Sequence, residues 1–341
     1  MKKERLQFLD IARGISIIML VWAHAQGIFS YQLVTLVVPC FFLISGYLHN
    51  QNNTFCEFLK KKFFRLYIPF LCCNLFLPVC TLIKRYNLGL EIKENLIYIA
   101  KIFLTLSKDG FLFGATWFLG SLFVIAVLTK AQETIFKNFR YKYLLIGFVY
   151  LMLIILAETI FNLEHGIHRL IVSAGFYFIG ICLSLYKDKL KLFLNNKLYI
   201  VMLMLLPLIL VCWKSIYGFS YGSKSLFYCM GFFIVSLIFS FYISQISIFV
   251  EKKSNIMSRI LGFFGRKSLH ILIWHLVFFE LTTAILLKMN NLPLTIIEQL
   301  PRVICNSFIC IIIYFLSGLL GSVLLSLMYT NLYSKIKNGH S

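Results

Sequence analysis

Long apolar runs recur along the whole chain, and they constrain its fold more than any other feature. The hydrocarbon core of a bilayer needs about 20 apolar residues in a spanning helix. Ten runs of suitable length can be marked: 11–30, 33–49, 66–83, 112–130, 143–161, 169–186, 197–214, 224–243, 268–288 and 303–330. Charged residues are 13% of the chain, whereas a soluble domain carries about a quarter. The pattern predicts an all-α, polytopic membrane helical bundle of about ten transmembrane helices, with a single transmembrane domain over residues 1–341 and no additional soluble domain.

The net charge of +20 is distributed like a topology signal rather than like a nucleic-acid surface. When the N-terminus is placed in the cytoplasm, 23 of the 33 Lys and Arg residues fall in the inner segments. Cytoplasmic loops of membrane proteins carry such an excess. We therefore predict that both termini are cytoplasmic in a multi-pass protein of the inner or plasma membrane. The lipid bilayer is then its surroundings, and no nucleic acid is a partner.

The cysteines and one loop complete this organisation. The ten cysteines lie mostly inside apolar runs, and none forms a Cys-x-x-Cys pair. We interpret them as small apolar residues in helix packing rather than as a disulfide framework or a metal site.

The long outer loop 84–111 has a semi-apolar pattern, which predicts an amphipathic helix that lies at the outer interface or dips back toward the site.

The first apolar run carries three ionisable residues, Asp10, Arg13 and His24. Asp10 and Arg13 are three residues apart, so they can pair across one helical turn. Arg13 and His24 are eleven apart, which puts them on one helix face about 16 Å apart. An ionisable residue inside a membrane is costly and indicates a functional site. The alternative is a histidine that only hydrogen-bonds to a neighbouring helix, and this run alone leaves both interpretations open.

Three more patches could contribute to a site. In the second run, Ser45 lies in a small-residue stretch that ends at Tyr47, which allows a close approach by another helix or by a ligand. Lys62 and Arg65 are three apart at the inner mouth of the third run. They suit a phosphate-bearing ligand, or they anchor the helix to lipid head groups. Trp117 at the outer end of the fourth run suits stacking on a sugar or an aromatic belt.

The ninth run contains further ionisable residues. Ser268 is predicted to cap the start of its helix, which would put His275 about 10 Å inside the membrane, near the depth of His24. His270 lies about 140° away from His275 around the helix, so we expect one of the two histidines to be structural. Glu280 is a second costly group inside the membrane. The sequence has no metal-binding motif, P-loop, dinucleotide fingerprint or nucleophile elbow.

Together these patches resemble the acyltransferase-3 family of integral membrane acyltransferases, and within it the branch similar to fucose 4-O-acetylases and surface-polysaccharide O-acetyltransferases. The motifs stand in the family's order: Leu-Asp-x-x-Arg-Gly at 9–14, Arg and His separated by ten residues at 13–24, Phe-Phe-Leu-Ile-Ser-Gly-Tyr at 41–47, Trp-Phe-Leu at 117–119, and Gly-Arg-Lys-Ser-Leu at 265–269 leading to His275. One departure is Lys62-x-x-Arg65, where the family often has two arginines. A lysine keeps the charge but loses the bidentate fork.

The resemblance implies transfer of an acetyl group from cytoplasmic acetyl-CoA to a sugar hydroxyl. The acceptor would be a surface polysaccharide (capsule, O-antigen or a related glycan) or its lipid-linked precursor. Acetyl-CoA acts as a co-substrate, no metal is expected, and a homo-oligomer is compatible with the sequence. An acetyl-imidazole intermediate remains an alternative to direct transfer.

The resemblance also implies roles for individual residues. It makes His24 the general base, with Asp10 holding Arg13 and with His275 orienting the acceptor or the thioester carbonyl. The donor phosphates would contact Lys62, Arg65 and Arg13, with Ser45 beside the donor. The acceptor would contact Trp117, Tyr47 and Glu280, and its path would pass His165, His168 and Arg169.

Two other functions stay open at the level of the sequence. A transporter or flippase for a lipid-linked or anionic sugar would also use many spans and a buried histidine. Transporters usually show an internal repeat, and none is detected here. A non-catalytic partner in polysaccharide assembly is the other alternative, but a scaffold has no need of a buried base.

Overall fold

A computed structural model describes residues 6–75, 114–159, 165–186, 226–293 and 307–338. Within these ranges the chain forms helices and connecting turns and no strand, so the predicted all-α class is confirmed. The predicted span at 197–214 and the predicted amphipathic helix at 84–111 lie outside the described residues. The count of ten spans and the cytoplasmic location of both termini stay predictions.

The helices in chain order are α1 Gln7–His24, α2 Ser30–Tyr47, α3 Phe55–Lys62, α4 Trp117–Ile135, α5 Lys142–Thr159, α6 His165–Leu185, α7 Leu226–Lys253, α8 Asn255–Met289 and α9 Phe308–Asn338. Five of them contain stretches that are long and apolar enough to cross a membrane: Trp117–Ile135, Gly166–Leu185, Cys229–Lys253, Asn255–Met289 and Phe308–Asn331. Helices α2 and α5 contain shorter apolar stretches. These helices are those of a multi-pass membrane protein.

The chain divides into two compact units. In the described residues, the first unit contains α1, residues 30–34, residues 243–253 and helices α8 and α9. The second contains residues 35–47 of α2, helices α3, α4, α5 and α6, and residues 226–242 of α7.

In the first unit, α1 packs along α8 with the two backbones in contact. A Cβ atom at Gly14 would overlap the carbonyl group of Leu261, and one at Gly265 would overlap the carbonyl group of Asp10. Glycine therefore permits an approach that no larger residue would allow. Gln7 is hydrogen-bonded to Ser258 near the start of both helices, and His24 is hydrogen-bonded to His275 further along both, so α1 and α8 run parallel.

The start of α8 differs from the prediction. Ser268 does not cap a helix but lies inside α8, which begins at Asn255. The N-cap is Ser254, whose Oγ accepts a hydrogen bond from the Met257 amide at 3.2 Å. The residues before Ser268, predicted as a loop, lack proline, and the Cβ-free Gly265 fits against α1 within a continuous helix. As a result His275 lies twenty positions into α8, about 30 Å along its axis.

In the second unit, α2 and α6 make the same kind of contact. A Cβ atom at Gly46 would overlap the Tyr177 carbonyl group, and one at Gly180 would overlap the Leu43 carbonyl group. The small-residue stretch in the second run therefore serves helix packing at Gly46. This contact fixes α6 against the end of α2, where several polar side chains converge.

A π-helical turn, Phe63–Tyr67, follows α3 directly. Pro69 explains it, because proline has no amide hydrogen for the Arg65 carbonyl and its ring crowds that position. The Ile68 amide instead donates to the Phe63 carbonyl, five residues back. Lys62 and Arg65 therefore do not share a regular α-helical turn as their spacing predicted.

One cysteine contradicts the packing interpretation. Cys310, near the start of α9, is disulfide-bonded, and its partner lies outside the described residues. A disulfide requires Cα atoms about 4.4–6.8 Å apart, which sequence spacing alone does not reveal. The free thiols of the described residues are Cys40, Cys56, Cys72, Cys73, Cys182 and Cys229.

Candidate active site

Two histidines from different helices meet in the first unit. His24 is the last residue of α1, and its Nδ1 lies 2.8 Å from Nε2 of His275 in α8. The ring planes are within 5° of each other and the ring centroids are 5.1 Å apart. With so short an N–N distance, the rings meet edge to edge in a hydrogen bond rather than face to face.

The second ring nitrogen of His275 defines the direction of this hydrogen bond. Nδ1 of His275 lies 2.8 Å from the carbonyl oxygen of Ile271, one helical turn earlier. A carbonyl only accepts, so Nδ1 of His275 must carry a hydrogen. In a neutral ring, Nε2 of His275 then accepts from Nδ1–H of His24. The hydrogen-bond network thus assigns the tautomer in which Nε2 of neutral His24 has its lone pair.

Aromatic and hydroxyl groups surround the inner histidine. His275 is completely buried and meets the ring of Phe279 at 90° with 5.9 Å between centroids. Phe279 packs in turn on Tyr314 of α9, whose hydroxyl group lies 2.7 Å from Oγ1 of Thr283. His24 is only half-buried. The inner ring is therefore held rigidly, while the outer ring lies nearer to the surface of the unit.

The other predicted residues of the first unit lie along the same two helices. Asp10 and Arg13 form the predicted pair, with Nη1 of Arg13 3.9 Å from Oδ1 of Asp10. The Asp10 side chain is 7% exposed and that of Arg13 is 22% exposed. Arg13 is about 16 Å along α1 from His24. Glu280 is buried in α8, about 140° around the helix from His275, so it does not share the face of the histidine.

In the second unit, the predicted donor residues have different exposures. Arg65 is exposed, and Lys62 is half-buried with its Nζ 5.3 Å from the centre of the Phe58 ring. Ser45 and Tyr47 are half-buried near the end of α2. The structure therefore places Lys62 against an aromatic surface and leaves Arg65 open to the surroundings.

The predicted acceptor residue Trp117 has a cationic neighbour in the second unit. The guanidinium carbon of Arg169 in α6 lies 4.3 Å from the centre of the Trp117 ring. Arg169 is 5% exposed and Trp117 is 8% exposed. Such a cation–π contact is strongest where water is excluded. His168 is also buried, and the side chain of His165 is not described.

A polar network that the sequence analysis missed lies where α2 ends. His49, just beyond α2, has its Nδ1 2.7 Å from the hydroxyl oxygen of Tyr177. Its Nε2 lies 3.1 Å from Oε2 of Glu133. Nζ of Lys130 donates to that same carboxylate oxygen at 3.3 Å, and the Tyr143 hydroxyl donates to Oε1 at 3.2 Å. Three helices and one loop thus contribute to the network around a single buried carboxylate.

A signal for this network is present in the sequence. Lys130 and Glu133 are three residues apart near the end of an apolar helix, and such charges are rarely buried unless they are paired. The sequence analysis counted Lys130 only as a topology charge. Burial lowers the pKa of His49 below its usual value near 6.5, although the Glu133 carboxylate opposes the shift. His49 is therefore neutral near pH 7.

These features define the class of protein: a multi-pass helical membrane protein with a hydrogen-bonded histidine pair between two parallel helices. Residues 6–329 match the sequence model of a family described as an acyltransferase domain. The chain therefore belongs to the acyltransferase-3 family and is a membrane acyltransferase. No curated protein and no solved structure matches it.

Proposed function

We propose that this acyltransferase moves an acetyl group from cytoplasmic acetyl-CoA to a hydroxyl group of a surface polysaccharide or its lipid-linked precursor. The observation that carries the proposal is the hydrogen bond between His24 and His275, with Nδ1 of His275 held by the Ile271 carbonyl. The pair supplies a neutral imidazole of defined tautomer, which is what a general base for a hydroxyl group requires.

His24 acts as the base in this proposal. Its Nε2 accepts the proton of the sugar hydroxyl while the hydroxyl oxygen attacks the thioester carbonyl. The C–S bond then breaks, and the coenzyme A sulfur takes the proton from His24. His275 is a positioning residue, because it accepts from Nδ1–H of His24 throughout and keeps the Nε2 lone pair in place.

Positively charged side chains support the assignment of an anionic acetyl donor. Acetyl-CoA carries phosphate groups, which cationic side chains bind through charge-assisted hydrogen bonds. Lys62 and Arg65 in the second unit, and Arg13 in the first, are the cations that we assign to it, with Ser45 beside the donor. Lys62 packs over Phe58, and this contact limits the freedom of its ammonium group.

We assign the acceptor to Trp117, Tyr47 and Glu280. An aromatic side chain offers a flat apolar face for a sugar ring, and the Arg169 guanidinium already lies against Trp117. Burial of both side chains indicates that a sugar would have to enter between helices rather than lie on the surface.

The proposal is tested with membranes that contain the protein, radiolabelled acetyl-CoA and the host's own glycan precursors. Alkali-labile label on glycan is counted for the wild type, for His24→Ala and for His270→Ala, all matched for expression. His270 lies in the same helix as His275 but on another face, so it is a matched control. We expect label with the wild type and with His270→Ala and almost none with His24→Ala.

Two other results would count against the proposal in different ways. Equal label from all three proteins would support an acetyltransferase activity but show that His24 is not its base. No label from any of them, with several glycan acceptors tried, would contradict the proposed donor and acceptor, and flux assays for a lipid-linked sugar would then be the next measurement.

A further inference from the structure

His49 occupies the centre of a closed set of contacts in the second unit. The ionisable groups around it come from every described element that packs on it: Lys62 of α3, Lys130 and Glu133 of α4, and Tyr177 of α6. Tyr143 of α5 reaches the same carboxylate. The His49 side chain is 1% exposed and that of Glu133 is 5% exposed, so water screens these charges little.

The network can hold His49 in either protonation state without losing a hydrogen bond. In the neutral ring, Nε2–H donates to Glu133 and Nδ1 accepts from the Tyr177 hydroxyl. In the protonated ring, both nitrogens donate, and the Tyr177 oxygen becomes the acceptor. A hydroxyl group can exchange these two roles by rotation about its C–O bond. Protonation therefore changes the charge of the network and leaves its connections in place.

Phe58 connects this network to the predicted donor site. The His49 and Phe58 rings lie 4.9 Å apart. Nζ of Lys62 is 5.3 Å from the Phe58 ring centre, and Nζ of Lys130 is 5.8 Å from the same centre. The charge on Lys62 is close enough to lower the pKa of His49. A proton on His49 would add a third positive charge to a group in which two ammonium groups already face one carboxylate.

The loop between His49 and α3 is fixed in place by the same network. Lys130 donates to the carbonyl oxygens of Asn50 at 3.4 Å and Gln51 at 2.9 Å. Thr54 and Glu57 form a capping box at the start of α3. Since α3 ends at Lys62, His49 and Lys62 lie on one continuous segment whose loop is held by Lys130.

We propose that His49 is a positioning residue that makes the donor site sensitive to acid pH, because its protonation adds positive charge beside Lys62 and strengthens the binding of the polyanionic donor. The proposal rests on the proposed function, since it requires that Lys62 and Arg65 bind coenzyme A phosphates. It assigns a regulatory role to a residue outside the histidine pair and outside the basic pair.

The expected effect is a change in affinity. One added charge within several ångströms of an anion site changes binding about three- to tenfold after partial screening. We expect the dissociation constant of the wild type for coenzyme A, relative to that of His49→Gln, to decrease toward this factor as the pH falls from about 7.5 through the lowered pKa of His49. A glutamine retains a donor for Glu133 and an acceptor for Tyr177 but cannot take up the proton.

The experiment is a calorimetric titration of the full chain in detergent with coenzyme A at several pH values. The wild type, His49→Gln and His270→Gln are compared, and protonation of the coenzyme itself cancels in the ratio of any two proteins. The expected result is a pH-dependent ratio for His49→Gln and a constant ratio for His270→Gln. Equal pH dependence in all three proteins would overturn the inference. If no protein binds coenzyme A at any pH, the donor assignment itself fails.

A measurement on the wild type alone covers the case in which His49→Gln does not fold. Coupling between two binding events is reciprocal, so donor binding must promote proton uptake by His49. The probe is 3′-dephospho-coenzyme A, which lacks the phosphate group that titrates near about pH 6. Titrations near that pH in buffers of different ionisation enthalpy should show proton uptake on binding. Binding without proton uptake would contradict the inference.

Discussion

A histidine buried in a membrane protein needs hydrogen-bond partners that suit the protonation state its task requires. Two buried histidine sites among the described residues, at His275 and at His49, meet this need in different ways. The ring of His275 is held by a backbone carbonyl, which favours one tautomer and thereby sets the tautomer of His24, the proposed base. The ring of His49 is held by a hydroxyl group, which accepts either state and suits a titrating group.

Stability at acid pH should depend on His49. The pKa of His49 is lower in the folded protein than its usual value near 6.5, so the unfolded chain binds the proton first as the pH falls. The free energy of unfolding should therefore decrease below about pH 6.5, by up to about 1.4 kcal/mol for each unit of difference in pKa. The melting temperature of the wild type in detergent should decrease more between about pH 7.5 and about pH 5.5 than that of His49→Gln.

Suppose that the melting temperatures of the wild type and of His49→Gln decrease equally between about pH 7.5 and about pH 5.5. The pKa of His49 would then be the same in the folded and the unfolded chain, which would contradict the prediction.

At the scale of single residues, the sequence identifies candidate site residues but not the residues that they contact. His24 stands out because an ionisable group inside an apolar run is costly. Its contact with His275 depends on where α8 begins and how closely it approaches α1. The predicted helix start at Ser268 was wrong, although His275 does lie level with His24 as predicted. His49 was missed because the network that identifies it joins residues 49, 133 and 177, which are far apart in the chain.

At the scale of the helix, the contact between α1 and α8 depends on glycines, which have no side chain to keep the two backbones apart. The Asp10 carbonyl lies against Gly265, and the Leu261 carbonyl lies against Gly14. These contacts bring the backbones together over the stretch that leads to the histidine pair. A change in the helix separation would therefore move His275 relative to His24.

Two glycines of α8 test whether the close approach of α1 and α8 is required. Gly265→Ala introduces a methyl group against the α1 backbone, which cannot move aside, and overpacking of this kind costs about 1–3 kcal/mol. In Gly262→Ala the new methyl group would meet only Nη1 of Arg266 at 3.3 Å, at the end of a flexible side chain. Alanine also favours the helix by up to about 1 kcal/mol over glycine. We expect a lower melting temperature and lower acetyl transfer for Gly265→Ala, and neither loss for Gly262→Ala.

A Gly265→Ala variant as stable and active as the wild type would show that α1 and α8 do not need this close approach. Loss of stability in both variants would point to a general requirement for glycine in α8 rather than to the contact with α1.

At the scale of the whole molecule, apolar patterning predicts the all-α membrane class well. Runs of this length have no other stable solution in lipid than a helix. Boundaries are predicted less well, because a helix such as α8 continues through polar residues when another helix covers its glycines. The π-helical turn after α3 also escaped prediction, although Pro69 is its local cause. The disulfide at Cys310 requires a short Cα–Cα distance, which residue spacing does not reveal.

The central claim is that His24 and His275 act as one unit in acetyl transfer, and a double-mutant cycle measures this most directly. The rate of label transfer from acetyl-CoA is compared for the wild type, His24→Gln, His275→Gln and the double variant. We expect a decrease of about 10²–10⁴-fold for His24→Gln, a smaller decrease for His275→Gln, and no further decrease in the double variant. Losses that multiply in the double variant, or a His24→Gln variant with the rate of the wild type, would contradict the account.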